Sequence, residues 1–446
     1  MPDHATSTDP AVQAQLDRLT MLSPGKDVLG LERIAVLLDR LGNPHHRLPP
    51  VFHVSGTNGK GSTCAFLRGA IEAAGLTAHV YSSPHLVRFN ERIRVAGKLI
   101  DDAVLSALLS EVLDQAEGLQ ASFFEVTTAV AFCAFARTKA DACIVEVGLG
   151  GRLDATNVLA KPVACGIASL GLDHEAFLLA DEEGVPEMPP LDRIAFEKAG
   201  IAKSGSPLLT QKYSASMANM VASEASLHGA LLRARGDSWD AAVYDGRLHY
   251  RDITGKLSLP LPRMTGAHQA DNAALAVAIL RHQSAIHIPE AALSAAMEWT
   301  RWPARMQQLA TGPLTDLLPN GSTVWLDGGH NPDAGAAIAK TLEAGPPVHL
   351  IVGMLKNKDA LGFLTPFEQK IETLISVPIP GHEHHDPADL CDLVQRSLQV
   401  SEARTAENVT LAIEQLAMRQ APLSILICGS LYLAGEVLQL NHQVPD

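Results

Sequence analysis

Apolar positions along the chain fall into two alternating kinds of run. Short, largely apolar stretches near Gly or Pro occupy residues 51–55, 78–82, 140–147 and 163–170, and they read as buried strands. Between them lie longer stretches with apolar residues at helical spacing. The first covers 27–41, with Leu31, Ile34, Leu37, Leu38 and Leu41 on one face, and others cover 62–74 (stopped by Gly75), 102–117, 124–138 and 267–282. Strands alternating with helices predict an α/β chain whose sheet is parallel and covered on both faces. Residues 1–15 lack such a pattern and read as frayed. Residues 181–190, acidic and proline-containing, read as a surface excursion. Asp245-Gly246 between 241–244 and 248–251 predicts a tight β-hairpin. After Trp302 the pattern restarts. Strands are expected at 323–326, 348–354, 372–379 and 424–428, with a helix opened by Asn331-Pro332 and another over 431–440. This divides the 446 residues into domains 1–298 and 299–446.

Composition narrows the function classes. The formal net charge is −14, without a basic block, so neither nucleic acid nor an anionic membrane is expected as a partner. No apolar stretch approaches the ~20 residues of a membrane span. The N-terminus is polar, and the six cysteines form no C-x-x-C pair, which suits reduced thiols in a cytoplasmic protein. Aromatics make up only 4%, so a flat ligand would stack on very few residues.

The first candidate chemistry is Gly56-Thr57-Asn58-Gly59-Lys60-Gly61-Ser62, set between an expected strand and an expected helix. Glycines there let backbone N–H groups face phosphates, and the helix N-terminus adds partial positive charge. Lys60 would reach the β- and γ-phosphates and Ser62 would offer its hydroxyl to Mg²⁺. The spacing departs from G-x-x-x-x-G-K-[ST], because Gly61 separates Lys60 from Ser62. The fold expected is therefore a P-loop mononucleotide-binding domain with a parallel sheet, followed by a smaller Rossmann-like α/β domain.

Glu146 interrupts an apolar strand near its carboxyl end, where α/β proteins place ligands. Asp173 and His174 follow the next strand and should reach the same edge. Lys198 shares an apolar helical face with Ile194 and Ile201. It either snorkels to water or is kept neutral by desolvation, and a neutral amine can add CO₂ to become an anionic carbamate. His382-Glu383-His384-His385 lies in a Pro/Gly-rich loop and reads as surface histidines.

Five segments occur in order: the phosphate loop, Tyr81-Ser82-Ser83-Pro84-His85-Leu86, the run from Glu146 to Asn157, Glu197-Lys198-Ala199-Gly200-Ile201, and Asp327-Gly328-Gly329-His330-Asn331-Pro332. Together they resemble the folylpolyglutamate synthase and dihydrofolate synthase family, the folate branch of the Mur ligases, over about residues 27–436. The resemblance implies a ligase that uses ATP and two Mg²⁺ ions to join L-glutamate to dihydropteroate or a reduced folate through an acyl phosphate. It implies metal ligands at Ser62, Ser83, Glu146, His174 and carbamylated Lys198, with Lys60, Lys198 and His174 in catalysis. Asn272, Arg305, Asp327 and His330 would join the phosphate loop around ATP. Pterin-side contacts would come from Asp27, Gly30, Phe124, Arg152, Leu153 and Asp154. The small-molecule substrates would be the only partners of an expected monomer. Departures from the family pattern are Gly329 and a long 178–192 segment. Two alternatives remain: a Mur-type amino-acid ligase acting on a cell-wall precursor, against which the 82–86 motif and the length speak, and a P-loop small-molecule kinase.

Overall fold

The computed structural model describes residues 5–22, 29–398, 400 and 402–446. The chain forms two compact units. The first takes in the described part of Met1–Arg263 together with Gln269–Arg301 and Asp446, and the second comprises Met264–His268 and the described part of Trp302–Pro445.

The first unit is built on an eight-stranded sheet. Its strands are β1 (Val51–Ser55), β2 (Ala78–Tyr81), β3 (Ile93–Val95), β4 (Lys98–Leu99), β5 (Ala142–Glu146), β6 (Ala164–Ile167), β7 (Pro207–Thr210) and β8 (Leu231–Ala234). Their order is β4-β3-β2-β5-β1-β6-β7-β8. All pairings from β2 to β8 are parallel, while β3 and β4 add an antiparallel edge. β1, β2, β5 and β6 are buried along their whole length, which explains their largely apolar sequences without polar alternation.

Helices cover both faces. One side carries α1 (Pro10–Leu22), α2 (Glu32–Arg40), α4 (Asp102–Ala116) and α5 (Phe123–Arg137) in one apolar cluster. α7 (Pro190–Ala199) and α8 (Ala215–Leu227) contribute to another cluster with β6 and β7. α3 (Lys60–Ala73) follows β1 directly, and α6 (Glu175–Leu178) is a single turn. β9 (Trp239–Tyr244), β10 (Arg247–Asp252) and β11 (Gly255–Pro260) form a separate antiparallel sheet. α9 (Ala267–Arg281) and α10 (Glu290–Trp299) complete the helices up to Arg301.

The second unit has a six-stranded sheet ordered β12-β13-β17-β14-β15-β16. The strands are β12 (Gln307–Gln308), β13 (Thr323–Leu326), β14 (Val348–Val352), β15 (Ile371–Ser376), β16 (Ala403–Thr405) and β17 (Ser424–Cys428). All pairings are parallel except that of β12. α11 (Pro332–Leu342) opens as expected, with Asn331 Oδ1 accepting from Ala334 N and Pro332 in the first turn.

Several sequence expectations need correction. The N-terminal residues are not frayed through residue 15. α1 buries Val12, Leu16 and Leu19, each contributing roughly 1.5–3 kcal/mol before the entropy of ordering is subtracted. The expected 27–41 helix is shorter, because Leu31 serves as N-cap and Glu32 starts it, while Asp27 lies outside the described residues. The 163–170 strand stops at Ile167, since the chain beyond it turns to bond the phosphate loop through Ser169. The hairpin acquires a third strand, β11, bonded along β10. α7 ends at Ala199, so Ile201 is buried beyond the helix rather than on the face shared by Ile194 and Lys198.

Candidate active site

The parallel register brings the first two candidates to one edge. Val54 of β1 pairs with Glu146 of β5, and both strands run toward the loop that begins at Gly56. Ser55 leads into a turn whose geometry requires glycine at two places. Gly56 has φ +146°, and a Cβ there would stand 2.9 Å from that of Ala168. Gly59 has φ +85°, and its Cβ would lie 2.3 Å from Asn272 Oδ1. The loop is tied to the chain after β6 by Thr57 N to Ser169 O (2.7 Å) and by Thr57 Oγ1 to Gly171 O (2.9 Å). That same stretch continues to Asp173 and His174. α3 starts at Lys60, so Gly61 and Ser62 lie in its first turn, where backbone donors lack intrahelical acceptors. Ser62 is buried.

Two lysines converge on this turn. Lys60 Nζ donates to Gly56 O (3.1 Å) and Thr57 O (3.3 Å), while Lys198 Nζ reaches the same Gly56 O at 3.1 Å. Lys198 is 5% exposed, and desolvation followed by the charge of Lys60 pulls its amine from the usual lysine range down to about 7. Asp173, Asp154 and Glu197 oppose that shift. Two cations meeting at one carbonyl oxygen are tolerable only when one loses its charge or when anions join them. Cys64 reports on the same neighbourhood. Burial pushes its thiol well up, Glu146 adds to the shift and Lys60 opposes it, so both side chains act on one buried atom.

The metal candidates are placed as follows. Glu146, 5% exposed, ends β5. Ser83 follows β2, the neighbour of β5. His174 is solvent-exposed at the N-cap of α6 with φ +54°, and its Nε2 lies 3.9 Å from Asp173 Oδ2. Among the described residues no three His, Cys, Asp or Glu side chains form a metal-holding group. Oxygen ligands for a hard cation would therefore have to come also from Ser62, Ser83 and a modified Lys198. The 382–385 histidines are spent locally. His384 Nδ1 pairs with His382 O, His385 Nε2 with Lys358 O, and the His382 ring stacks on Tyr432 at 3.8 Å.

Among the expected pterin-side residues, Phe124 packs against Gly148, two positions after Glu146. Phe124, at the start of α5, lies so close to Gly148 that a Cβ on Gly148 would be 2.4 Å from the ring. Gly30 precedes α2, which is tied to α5 by the pair Arg33–Glu125 (3.0 Å). Asp154 is 1% exposed and accepts from Leu149 N (2.8 Å), Thr156 N (3.0 Å) and Thr156 Oγ1, so it shapes the 148–157 turn itself. Thr156 Oγ1 in turn meets buried His53 Nε2 at 2.9 Å. Leu153 is half-buried beside it. Arg152 binds Glu182 and Glu197, and Arg193 joins both carboxylates. Sequence reasoning missed this cluster, although Arg193 and Glu197 stand at i and i+4 of one helix.

Asn272, nearly one turn of α9 beyond Gln269, belongs to the phosphate-loop neighbourhood and bonds Gln269 Oε1 through Nδ2 (3.1 Å). Arg305, Asp327 and His330 gather in the second unit at the end of β13. Asp327 accepts from Met306 N and Gly329 N (2.7 Å each), His330 Nδ1 meets Gly328 O (2.8 Å), and a Cβ on Gly328 would be 3.0 Å from Arg305 Nη1. A cavity of about 500 Å³ lined by Val95, Leu99, Val104, Leu108 and Arg137 contains none of the expected site residues.

These features are matched along nearly the whole chain in known proteins. The dihydrofolate synthase/folylpolyglutamate synthase of Escherichia coli K12 is 33% identical over 419 residues, covering 92% of this chain and 91% of that protein. The chain belongs to the dihydrofolate synthase/folylpolyglutamate synthase family. The Mur ligase glutamate ligase domain matches residues 305–431, within the second unit. The structure of E. coli FolC in complex with DHPP and ADP superposes with a TM-score of 0.84 at 31% identity, covering 97% of each chain. A bifunctional folylpolyglutamate synthase/dihydrofolate synthase with Mn, AMPPNP and L-glutamate bound gives 0.82 at 30% identity, covering 98% of this chain and all of that one. As a member of this ligase family, the chain carries the α/β two-unit fold that the strand–helix alternation predicted. No helix among the described residues is long and apolar enough to cross a membrane.

Proposed function

We propose that this chain is an ATP-dependent acid–amino-acid ligase that joins L-glutamate to dihydropteroate, to a reduced folate, or to both. The observation that carries this reading is the convergence of Lys60 and Lys198 on Gly56 O beside Glu146. The turn offers what a triphosphate needs: glycines without Cβ atoms, unpaired helix N–H groups and a lysine. Ser62, Ser83, Glu146, His174 and modified Lys198 fit a hard divalent cation by donor type. When bound, such a cation neutralises charge on the phosphates and the acceptor carboxylate.

The residues then divide the work. A carboxylate is a poor electrophile, so the acceptor's oxygen first takes the γ-phosphoryl group, releasing ADP. Lys60 stabilises the charge that shifts onto the phosphate oxygens. The glutamate amine attacks the acyl carbon, its proton leaves, and phosphate departs with the C–O bonding pair. Lys198 is suited to a second form. As a neutral amine it adds to CO₂, forming an N–C bond and releasing one proton, which turns a repelling cation into an anion beside Lys60. In this reading Asn272 adjoins the phosphate loop, and Arg305, Asp327 and His330 are the nucleotide contacts that family membership implies for the second unit. Asp27, Gly30, Phe124 and the 152–154 turn hold the pterin end. The reading takes small molecules as the substrates of a chain acting as a monomer, and the six buried free cysteines suit the cytoplasm.

The test is Lys198→Ala. Glutamate-dependent phosphate release with dihydropteroate should fall by about three orders of magnitude, and a small carboxylate such as acetate should restore part of it. Full activity in the variant sinks the role of Lys198. Phosphate release that ignores glutamate in the unaltered protein would favour the kinase alternative.

A further inference from the structure

Two side chains that the site has not used stand on the same sheet edge. The register aligns Ser55 with Ile167, Ile167 with Thr210 and Thr210 with Ala234, so β1, β6, β7 and β8 end in one row. The residue after β1 is Gly56 of the phosphate loop. The residues after β7 and β8 are Gln211 and Arg235, and Arg235 N still bonds Thr210 O at 3.0 Å. This end of a parallel sheet is where such folds bind ligands. The guanidinium of Arg235 is engaged within the chain. Nη1 donates to Gln211 Oε1 (2.9 Å) and Asp271 Oδ1 (2.7 Å), Nη2 donates to Ala241 O (2.7 Å), and Nε lies 3.5 Å from Asp240 Oδ1. The group also lies over the Trp239 ring, 5.7 Å from its centre. Gln211 completes the arrangement by donating from Nε2 to Asp271 O at 2.7 Å.

Both residues meet α9 at Asp271, and the next residue is Asn272. Arg235 holds the side chain of Asp271, and Gln211 holds its backbone carbonyl. A backbone fixed at position 271 sets where the side chain of Asn272 starts. That side chain has little room. A Cβ on Gly59 would be 2.3 Å from Asn272 Oδ1, and Nδ2 bonds Gln269 Oε1 at 3.1 Å. The chain leaves the first unit for residues 264–268 and re-enters it at Gln269. Asp271 and Asn272 therefore lie within one helical turn of re-entry. The Asp271 side chain is 54% exposed, and an ion pair so open to water contributes little to stability. What the pair does supply is direction, because every acceptor is met at a fixed angle of one planar group.

We propose that Arg235, together with Gln211, is a positioning residue for the nucleotide: it fixes the start of α9 so that Asn272 closes on Gly59 of the phosphate loop. This rests on the reading of that loop and Asn272 as the ATP site. Arginine suits the task because one fork serves acceptors on three segments at once: Gln211 after β7, Asp271 on α9 and Ala241 on β9. A lysine would present a single ammonium on a flexible stem. Without Arg235 the helix stays packed through Ala273 to Leu280, all of them buried. The Asn272 carboxamide, by contrast, loses its set place against Gly59. The pterin end is assigned to Phe124 and the 152–154 turn, on other segments, so acceptor binding is spared.

The experiment is a double-mutant cycle on the full chain, read by calorimetric titration with Mg·ADP. Wild type must bind Mg·ADP; if it does not, the nucleotide reading of the loop fails and this proposal falls with it. In Arg235→Met, affinity for Mg·ADP should drop about tenfold. Binding of pteroic acid, followed by fluorescence, should stay within about twofold. Asn272→Ala should itself weaken Mg·ADP severalfold. In the Asn272→Ala background, Arg235→Met should then lower affinity by less than about twofold more, because residues that act through one another do not add. Arg235→Lys should recover little of the loss. Losses that multiply across the two sites overturn the proposal, as does unchanged affinity in Arg235→Met. Equal weakening of Mg·ADP and pteroic acid with a lowered melting temperature would make Arg235 a general structural support and overturns it too. If Arg235→Met does not fold, Asp271→Ala decides in the same cycle. It removes the side-chain acceptor on α9 and leaves Arg235 in place. Affinity should then drop about threefold alone and hardly at all beside Asn272→Ala, and an effect of equal size in both backgrounds overturns the proposal.

Discussion

The carboxyl ends of the two sheets solve one geometric problem in opposite ways. In both units a strand runs into glycines and then into a helix: β1 into Gly56–Gly59 and α3, β13 into Gly328-Gly329 and α11. In the first, two lysines fold onto the turn's own carbonyls, and the Thr57 and Asn58 N–H groups bond Ser169 of the chain after β6. In the second, the turn is filled by its own side chains. Asp327 accepts from Met306 N and Gly329 N, and Asn331 caps α11. The first corner thus gathers two lysine side chains on its own carbonyls, whereas the second is braced from within by a carboxylate.

This contrast makes different demands on substitution. The largest effect is expected from Gly59→Val. Its φ of +85° and the Asn272 oxygen 2.3 Å from an added Cβ combine backbone strain with a clash. ATP affinity should fall about a hundredfold or more, measured by nucleotide titration, and the melting temperature should drop by a few degrees as the strain is borne in the folded state. Unchanged affinity would mean that the turn does not cradle phosphates. Next comes Asp327→Ala, which leaves two buried backbone N–H groups unpaired. It should cost about 2–4 kcal/mol of stability in a urea melt, and a neutral outcome would show that the second corner does not depend on its aspartate.

Smallest, taken over one pH unit, is the pH response of Lys198. Its folded pKa, about 7, lies below that of an ordinary lysine, so the unfolded chain holds the proton more tightly. The cost of burying the charge is full below pH 7 and is relieved as pH rises toward the unfolded value. In CO₂-free buffer with chelator, wild type should therefore gain up to about 1.4 kcal/mol per pH unit between 7 and 9 relative to Lys198→Met. A flat or falling difference would place a cation in that pocket at neutral pH.

The phosphate-loop edge was legible because glycine, lysine and the strand before them carry their meaning locally. Glu146 was legible for a similar reason, as a carboxylate inside an apolar strand. The acidic clamp was not, because Arg152, Glu182 and Glu197 are 30 and 45 positions apart and only the fold brings them together. α1 was overlooked because its three buried residues are dispersed among polar ones. β11 was overlooked because Leu257 and Leu259 alternate too briefly to announce a strand. His174 was expected to follow β6 and does so, yet its left-handed backbone is a product of the turn there that no local pattern reveals.

One helix connects regions that look independent. α9 holds Asn272 against Gly59 near its beginning, and Arg281 at its end grips Asp252 of the small antiparallel sheet at 2.7 Å. A rod of nine residues between them spans about 13 Å. The little sheet therefore works as a ballast for the nucleotide corner. Cutting the Asp252 tether would let the rod pivot and loosen the grip on Gly59, so lesions far from any ligand would surface as weaker nucleotide capture.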